Sequence, residues 1–393
     1  MVDIEDRVVP GRAIARLTAV AGDPDAYVRE WKQRTGGRVI GAFPMNFPAE
    51  IAHAAGLLPV LIQENRETIT VGRNLLTEFY CGYTRNIADQ AAKGRLSIYD
   101  GFYNADHCIQ LLGAVDVTRE FEEDTPVYFG QLETSIGSTW AIDKVQRKMA
   151  AFRAEIAGFV GHDIHDDDLR ASIELFNEQR RLLRRFYDER RSGNAYFSPA
   201  HLQVLVKSGM VMDRAEHIAL LQEVLQLGLS AERQRGRIKV HLSGHFCHAP
   251  RTELLELIEE CGAQVVDDDL FHGTRWIAAD VPDADDPIEA MALWYLARNV
   301  AVPCPTRVQH DVDWDGYLLD VLDGSGAEGL IVLMAKFCEP HMLYYPELRK
   351  ALDSKGIPHL LIETEHEGMP LESMRTRIEA LLERIRRRQA VLV

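Results

Sequence analysis

The chain has 393 residues, 46% of them hydrophobic and 26% charged, a globular balance that excludes a disordered or collagen-like protein. Its 44 basic residues stand against 60 acidic ones, a formal net charge of −16. Nucleic-acid binders draw affinity from neutralising phosphates, so this balance argues against that class while leaving room for a local basic pocket. Length suggests about two to three domains. The opening Met1-Val2-Asp3-Ile4-Glu5-Asp6-Arg7 lacks the basic-then-apolar order of a secretory signal. No apolar run approaches the roughly 20 residues of a membrane helix. A soluble, cytoplasmic protein with no membrane and no nucleic-acid partner is expected. Six scattered cysteines are too few for a disulfide scaffold, and metal ligation or catalysis is the better reading of them.

Residues 38–43 read as a strand, Pro48 suits the first turn of a helix continuing through 50–55, and residues 58–62 read as a second strand. Residues 97–103 and 125–130 read as two more, giving the strand–helix alternation of a parallel sheet. From about 139 to 235 the strands disappear. Leu175, Phe176, Leu182, Leu183, Phe186 and Tyr187 recur at helical spacing there, and helices follow around 199–208 and 213–229. Arg180, Arg181, Arg184, Arg185, Arg190 and Arg191 occupy the opposite side of that first helix, as a solvated face or a subunit contact. Strand patterning resumes at Arg237 with Ile-Lys-Val-His-Leu and continues at 263–266, 329–334 and 358–362. The expected class is α/β: two Rossmann/flavodoxin-like lobes with parallel sheets, spanning 1–138 and 236–393. A helical subdomain, 139–235, lies between them. No convincing short repeat is visible.

Cys81, Cys108 and Cys338 each sit near a predicted strand end or strand-to-helix junction. Loops beyond strand C-termini form the ligand crevice of open α/β sheets. Three thiolates there suit an iron–sulfur cluster with one iron left free, and three ordinary buried thiols are the alternative. No Cys-x-x-Cys occurs, so the ferredoxin pattern is absent. A second group, His241, His245, Cys247 and His248, has the soft-ligand density of a zinc site, although adjacent residues rarely reach one ion. A turn facing the cleft is the plainer reading. Asp267, Asp268 and Asp269 suit either magnesium or a helix cap. No Walker A loop is present, and the G-x-G-x-x-G match Gly324-Ser325-Gly326-Ala327-Glu328-Gly329 precedes a predicted strand instead of following one, so no nucleotide loop of the usual kind is expected.

Six segments then carry a resemblance: Pro48-Ala49-Glu50 with Ala54-Ala55-Gly56, Cys81-Gly82-Tyr83-Thr84-Arg85, and Lys336-Phe337-Cys338-Glu339-Pro340-His341, with Leu361-Ile362-Glu363-Thr364-Glu365 and Arg375-Thr376-Arg377-Ile378-Glu379-Ala380 after them. In order and spacing, from about residue 38 to the end, they resemble the benzoyl-CoA reductase/2-hydroxyacyl-CoA dehydratase family. The resemblance implies a [4Fe–4S] cluster on Cys81, Cys108 and Cys338, with the Cys108 segment departing most from the pattern. It implies a homologous second core subunit, an acyl-CoA substrate and a separate ATP-hydrolysing iron–sulfur activator. The missing nucleotide loop agrees with that division of labour.

Within the family, Ser243-Gly244-His245-Phe246-Cys247-His248-Ala249-Pro250, Val265-Val266-Asp267-Asp268-Asp269 and Gln63-Glu64-Asn65-Arg66 look more like the reductase branch. The length matches the smaller of the reductase's two core subunits. The resemblance thus implies reduction of the ring of benzoyl-CoA to a cyclic dienoyl-CoA. One alternative is a (R)-2-hydroxyacyl-CoA dehydratase subunit working through a ketyl radical. An alternative of another class is a non-catalytic electron-relay or structural metal-binding subunit. By the same resemblance Glu64 is the expected acid/base group with Asn65 positioning, and His245 and His248 are further proton donors.

Overall fold

The strand runs at the two ends of the chain form two separate sheets of the same design. The computed structural model describes residues 11–105, 107–192, 197–226, 237–309, 313–368 and 370–392. Helices α1 (Arg12–Gly22) and α2 (Pro24–Thr35) lead in. Asp23 starts α2 by accepting from the Ala26 N–H at 3.0 Å, as an N-cap does.

The first lobe follows as β1 (Val39–Ala42), α3 (Ala49–Ala54), β2 (Leu58–Leu61), α4 (Gly72–Leu75), α5 (Gly82–Ala92), β3 (Gly101–Ala105), α6 (Ile109–Phe121) and β4 (Val127–Gly130). Its sheet runs β2-β1-β3-β4, all parallel. The first three strands are buried along their whole length, because helices cover both faces of such a sheet. One expectation shifts here. Residues 95–98 form a 3₁₀ turn and β3 begins only at Gly101, since a short apolar run specifies no single conformation. Asp100 holds the strand entry by accepting from the Val39 N–H at 2.7 Å and from Lys32 Nζ at 2.9 Å.

Helices α7 (Ala141–Val160), α8 (Asp166–Ser192), α9 (Pro199–Gly209) and α10 (Arg214–Gln226) come next, with no strand among the described residues of 139–235. Residues 227–229, the expected end of the last helix, lie outside the described residues. Phe176, Leu183, Phe186 and Tyr187 bury the predicted stripe of α8. Its arginines are not simply a solvated face. Arg180 pairs with buried Glu50 of α3, and Arg190 pairs at 2.9 Å with Glu259 in the second lobe. Arg191 reaches Asp267 at 2.9 Å, while Arg181 and Arg185 remain largely exposed. The helix therefore bolts the two lobes together through its cations.

The second lobe contains β5 (Ile238–Gly244), α11 (Thr252–Glu260), β6 (Ala263–Asp268), α12 (Pro287–Ala301), α13 (Trp314–Ser325), β7 (Gly329–Ala335), α14 (Glu339–Ser354), β8 (His359–Thr364) and α15 (Leu371–Leu392). Its parallel sheet runs β6-β5-β7-β8, the same spatial order as the first. The chain thus repeats a topology that its sequence does not display. Each sheet reverses its winding beside its first strand, at β1/β3 and β5/β7, where ligand crevices form. Among the described residues no helix is long and apolar enough to cross a membrane.

Candidate functional site at the strand ends

All three singled-out cysteines occupy the position just before a helix: Cys81 before α5, Cys108 before α6 and Cys338 before α14. None uses its sulfur as a cap, so three sulfurs stand at the positive ends of three helix dipoles. Gln110, in the first turn of α6, ties these segments together. Its Oε1 accepts from the Cys81 N–H at 2.8 Å, and its Nε2 donates to the Phe337 carbonyl at 2.7 Å. Phe337 takes a left-handed backbone, with φ of 65°, which swings the chain from β7 into Cys338.

The thiols differ electrically. Burial opposes ionisation of Cys81, but hydrogen bonds from His248 and Thr84 outweigh it and lower its pKa. Burial pushes the Cys108 thiol up to about 12, and burial with the neighbouring Cys81 pushes Cys338 well above the ordinary range. Cys247 is raised likewise, by burial and then by Cys108, Cys81, Cys338 and Cys304. The structure therefore gathers five thiols where the sequence singled out three. Cys261 lies elsewhere, with its sulfur 4.0 Å from Arg375 of α15. Among the described residues, no three His, Cys, Asp or Glu side chains are arranged to hold a metal ion.

Glu64 lies in the loop after β2 and reaches across to the second lobe. Its carboxylate accepts from His248 Nδ1 at 3.2 Å and from His366 Nδ1 in a short contact. Burial disfavours the carboxylate, but the two imidazoles outweigh burial and hold its pKa well below the usual range. The partners answer in kind. Burial works against a proton on His248, yet Glu64 and Cys81 raise its pKa above the ordinary value, and Glu64 raises that of His366. His366 Nε2 also donates to the Glu67 carbonyl at 2.7 Å. Gly82 permits this approach, because a Cβ there would lie 2.8 Å from the His366 Cβ.

Asn65 is engaged locally. Its side-chain oxygen accepts from Asn86 Nδ2 at 2.9 Å and from the Glu67 N–H at 3.0 Å, bracing the Glu64 loop against α5. His245 follows Gly244, whose φ of 105° and closeness to the Leu333 carbonyl exclude a side chain at that turn. His245 Nε2 meets Thr364 Oγ1 at 2.7 Å, and burial holds the imidazole neutral, its pKa well below the ordinary value.

The zinc reading gains nothing from the geometry. His241 is buried within β5 with no partner on either nitrogen among the described residues, while His245 and His248 turn to Thr364 and Glu64. The three aspartates are engaged as well. Asp267 pairs with Arg191, and Asp268 accepts from Tyr187 Oη and from the N–H groups of Leu270 and Thr274. Asp269 accepts from Ser243 Oγ at 3.0 Å and from Trp314 Nε1 at 3.1 Å. Gln110 and His366 escaped the sequence reading. The strand-end rule that singled out Cys338 applies equally to His366, two residues past β8.

The family model described as 2-hydroxyglutaryl-CoA dehydratase, D-component, matches residues 44–385. One subunit of the benzoyl-CoA reductase of Thauera aromatica is 27% identical over 352 residues, covering 88% of this chain and 91% of the relative. The (R)-phenyllactyl-CoA dehydratase beta subunit of Clostridium sporogenes is 26% identical over 368 residues, covering 93% and 96%. The beta subunit of the (R)-2-hydroxyglutaryl-CoA dehydratase of Acidaminococcus fermentans is 24% identical over 386 residues, covering 94% and 98%.

Proposed function

The chain belongs to the 2-hydroxyglutaryl-CoA dehydratase D-component family, and on that premise we propose that it is the iron–sulfur core subunit of an ATP-dependent benzoyl-CoA reductase. In this reading it works with a homologous second core subunit and receives electrons from a separate ATP-hydrolysing iron–sulfur activator. The observation that supports it best is the gathering of Cys81, Cys108 and Cys338 at three helix N-termini beside the Glu64–His248 pair. The donor chemistry fits, since sulfur ligands are what a [4Fe–4S] cluster requires. The three cysteines of a cubane bind three different irons, so a set suited to one need not close around a single ion. When bound, such a cluster supplies low-potential electrons and an open Lewis-acidic iron for a thioester oxygen.

The chain's own residues do the rest. Helix dipoles at the three cysteines stabilise negative charge on their sulfurs. Gln110 fixes the spacing between the Cys81 and Cys338 segments. His248 directs Nδ1–H at Glu64 and also hydrogen-bonds to the Cys81 sulfur, so its imidazolium holds a proton beside the cysteines, the one that a substrate carbon gaining electron density would take. Glu64 acts in this arrangement as the fixed counter-charge, a refinement of its expected acid/base role. Asn65 holds its loop, and His245 is a neutral wall residue.

A dehydratase is the second reading, favoured by the two dehydratase beta subunits that match at comparable identity. One preparation separates the two. The chain is produced anaerobically with its partner and activator, then given ATP, reductant and either benzoyl-CoA or a (R)-2-hydroxyacyl-CoA. Ring reduction that consumes ATP in proportion to product supports the reductase. Dehydration that needs ATP only for activation replaces it with the dehydratase. Absence of iron and acid-labile sulfide, expected at about four each per chain, removes both readings.

A further inference from the structure

The ends of β1 and β2 and the helices α3, α8, α10 and α12 line a cavity of about 40 Å³. That is room for about three waters or one small polyatomic ion. Its wall combines the rings of Phe176 and Trp294 with three guanidinium groups, those of Arg180, Arg214 and Arg298. Glu50 is the carboxylate in that wall, and Arg180 already pairs with it.

Among the described residues the other two cations form no ion pair, although Glu50 and Asp213 act on Arg214 from beyond pairing distance. Arg298 is 4% exposed; it donates to Asn46 Oδ1 at 3.1 Å and to the Arg275 carbonyl at 3.2 Å. Arg214, 2% exposed, donates through one terminal nitrogen to the carbonyls of Gly209 and Met212, while its Nε has no partner among the described residues. Among the described residues Asn46 Nδ2 and Glu50 Oε2, both buried, also lack partners. Burial pushes Arg214 down to about 10 and Arg298 down to about 9. Water would satisfy the orphaned atoms but not the charge. A buried guanidinium without a counter-charge is costly, and an anion that also accepts hydrogen bonds relieves both deficits at once.

We propose that this cavity is a binding site for a small oxyanion, a carboxylate or a phosphate, held by Arg214, Arg298 and Asn46 Nδ2. The site is independent of the acyl-CoA reading given above. A hydroxyl on the ligand, as in hydrogen phosphate, or one retained water would serve Glu50 Oε2. Planar guanidinium groups match the paired oxygens of either oxyanion.

The test uses the full chain, titrated calorimetrically with acetate and separately with phosphate at constant ionic strength maintained by chloride. The variants are Arg298→Met and Ala49→Leu. Ala49 lines the cavity, so the second variant fills it while keeping all three arginines. Saturable binding of at least one oxyanion by the wild type is expected, weakened roughly 10- to 100-fold in Arg298→Met by the loss of one charge-assisted hydrogen bond, and at least as much in Ala49→Leu because the added side chain occupies the space. Acetate without phosphate assigns the site to carboxylates, and the reverse assigns it to phosphates. If circular dichroism shows that Arg298→Met does not fold, Ala49→Leu alone decides. No saturable binding by the wild type overturns the proposal, and so does binding that the folded variants leave unchanged.

Discussion

Replacing Glu64 by Gln tests the centre of the proposed chemistry. The carboxylate receives hydrogen bonds from two imidazoles that belong to the other lobe, His248 and His366. Gln keeps one carbonyl acceptor, turns the second into an NH₂ donor and removes the negative charge. A hydrogen bond to a charged group contributes about 1.5–3 kcal/mol. At 1.36 kcal/mol per pKa unit, losing the bond to His248 lowers that imidazole by about one to two units. The sign follows from the wild type, where Glu64 and Cys81 raise the His248 pKa against the effect of burial. The variant should therefore lose its imidazolium at lower pH. The alkaline limb of its pH profile should move to lower pH by about one to two units, so turnover on that limb should fall by roughly 10- to 100-fold. Iron content, acyl-CoA binding and anaerobic turnover against pH, measured on one reconstituted complex, read all three effects. Near-normal turnover with an unmoved limb would refute the role. Iron content and thermal stability falling together with activity would make Glu64 a clamp between lobes instead.

Three further outcomes are expected. Cys81→Ser, Cys108→Ser and Cys338→Ser should each lower the iron content, whereas Cys261→Ser, remote beside Arg375, should not; Cys247→Ser and Cys304→Ser should also keep most of the iron, and iron analysis of the six variants checks this. Gln110→Leu leaves the Cys81 N–H and the Phe337 carbonyl without their partner, so unfolding free energy should drop by about 1–3 kcal/mol and cluster loading should fall with it. Asp268 is raised to about 7 by burial and then by Asp267, above its unfolded value near 3.8. Its neutral form contributes stability that is complete below pH 3.8 and is lost as pH rises to about 7, so Asp268→Asn should flatten that slope in denaturant titrations at several pH values, by up to roughly 4 kcal/mol. An unchanged slope would show that Asp268 ionises normally in the fold.

Local pattern reached the strands and the cysteine positions because both are written over a few residues. A parallel strand covered on both faces must be continuously apolar, so 58–62 and 329–334 announced themselves. A residue between a strand and a helix falls at the crevice whatever the rest of the chain does, which made Cys108 and Cys338 legible. Pairings across the lobes carry no such local mark. His366 meets Glu64 across 302 positions, and Gln110 meets the Phe337 carbonyl across 227. Their residue types are ordinary for exposed turns, and only the packing of one sheet end against the other brings them together. The same holds for Cys247 and Cys304 joining the thiols, and for the α8 arginines. A basic helical face looks solvated in sequence, because nothing nearby announces that Glu50 and Glu259 will lie against it. Composition and periodicity decided what each segment is. Which charges are buried, which are paired and which meet a cavity were decided by distance through space, where one unpaired group in a dry interior costs more than any local propensity can offset.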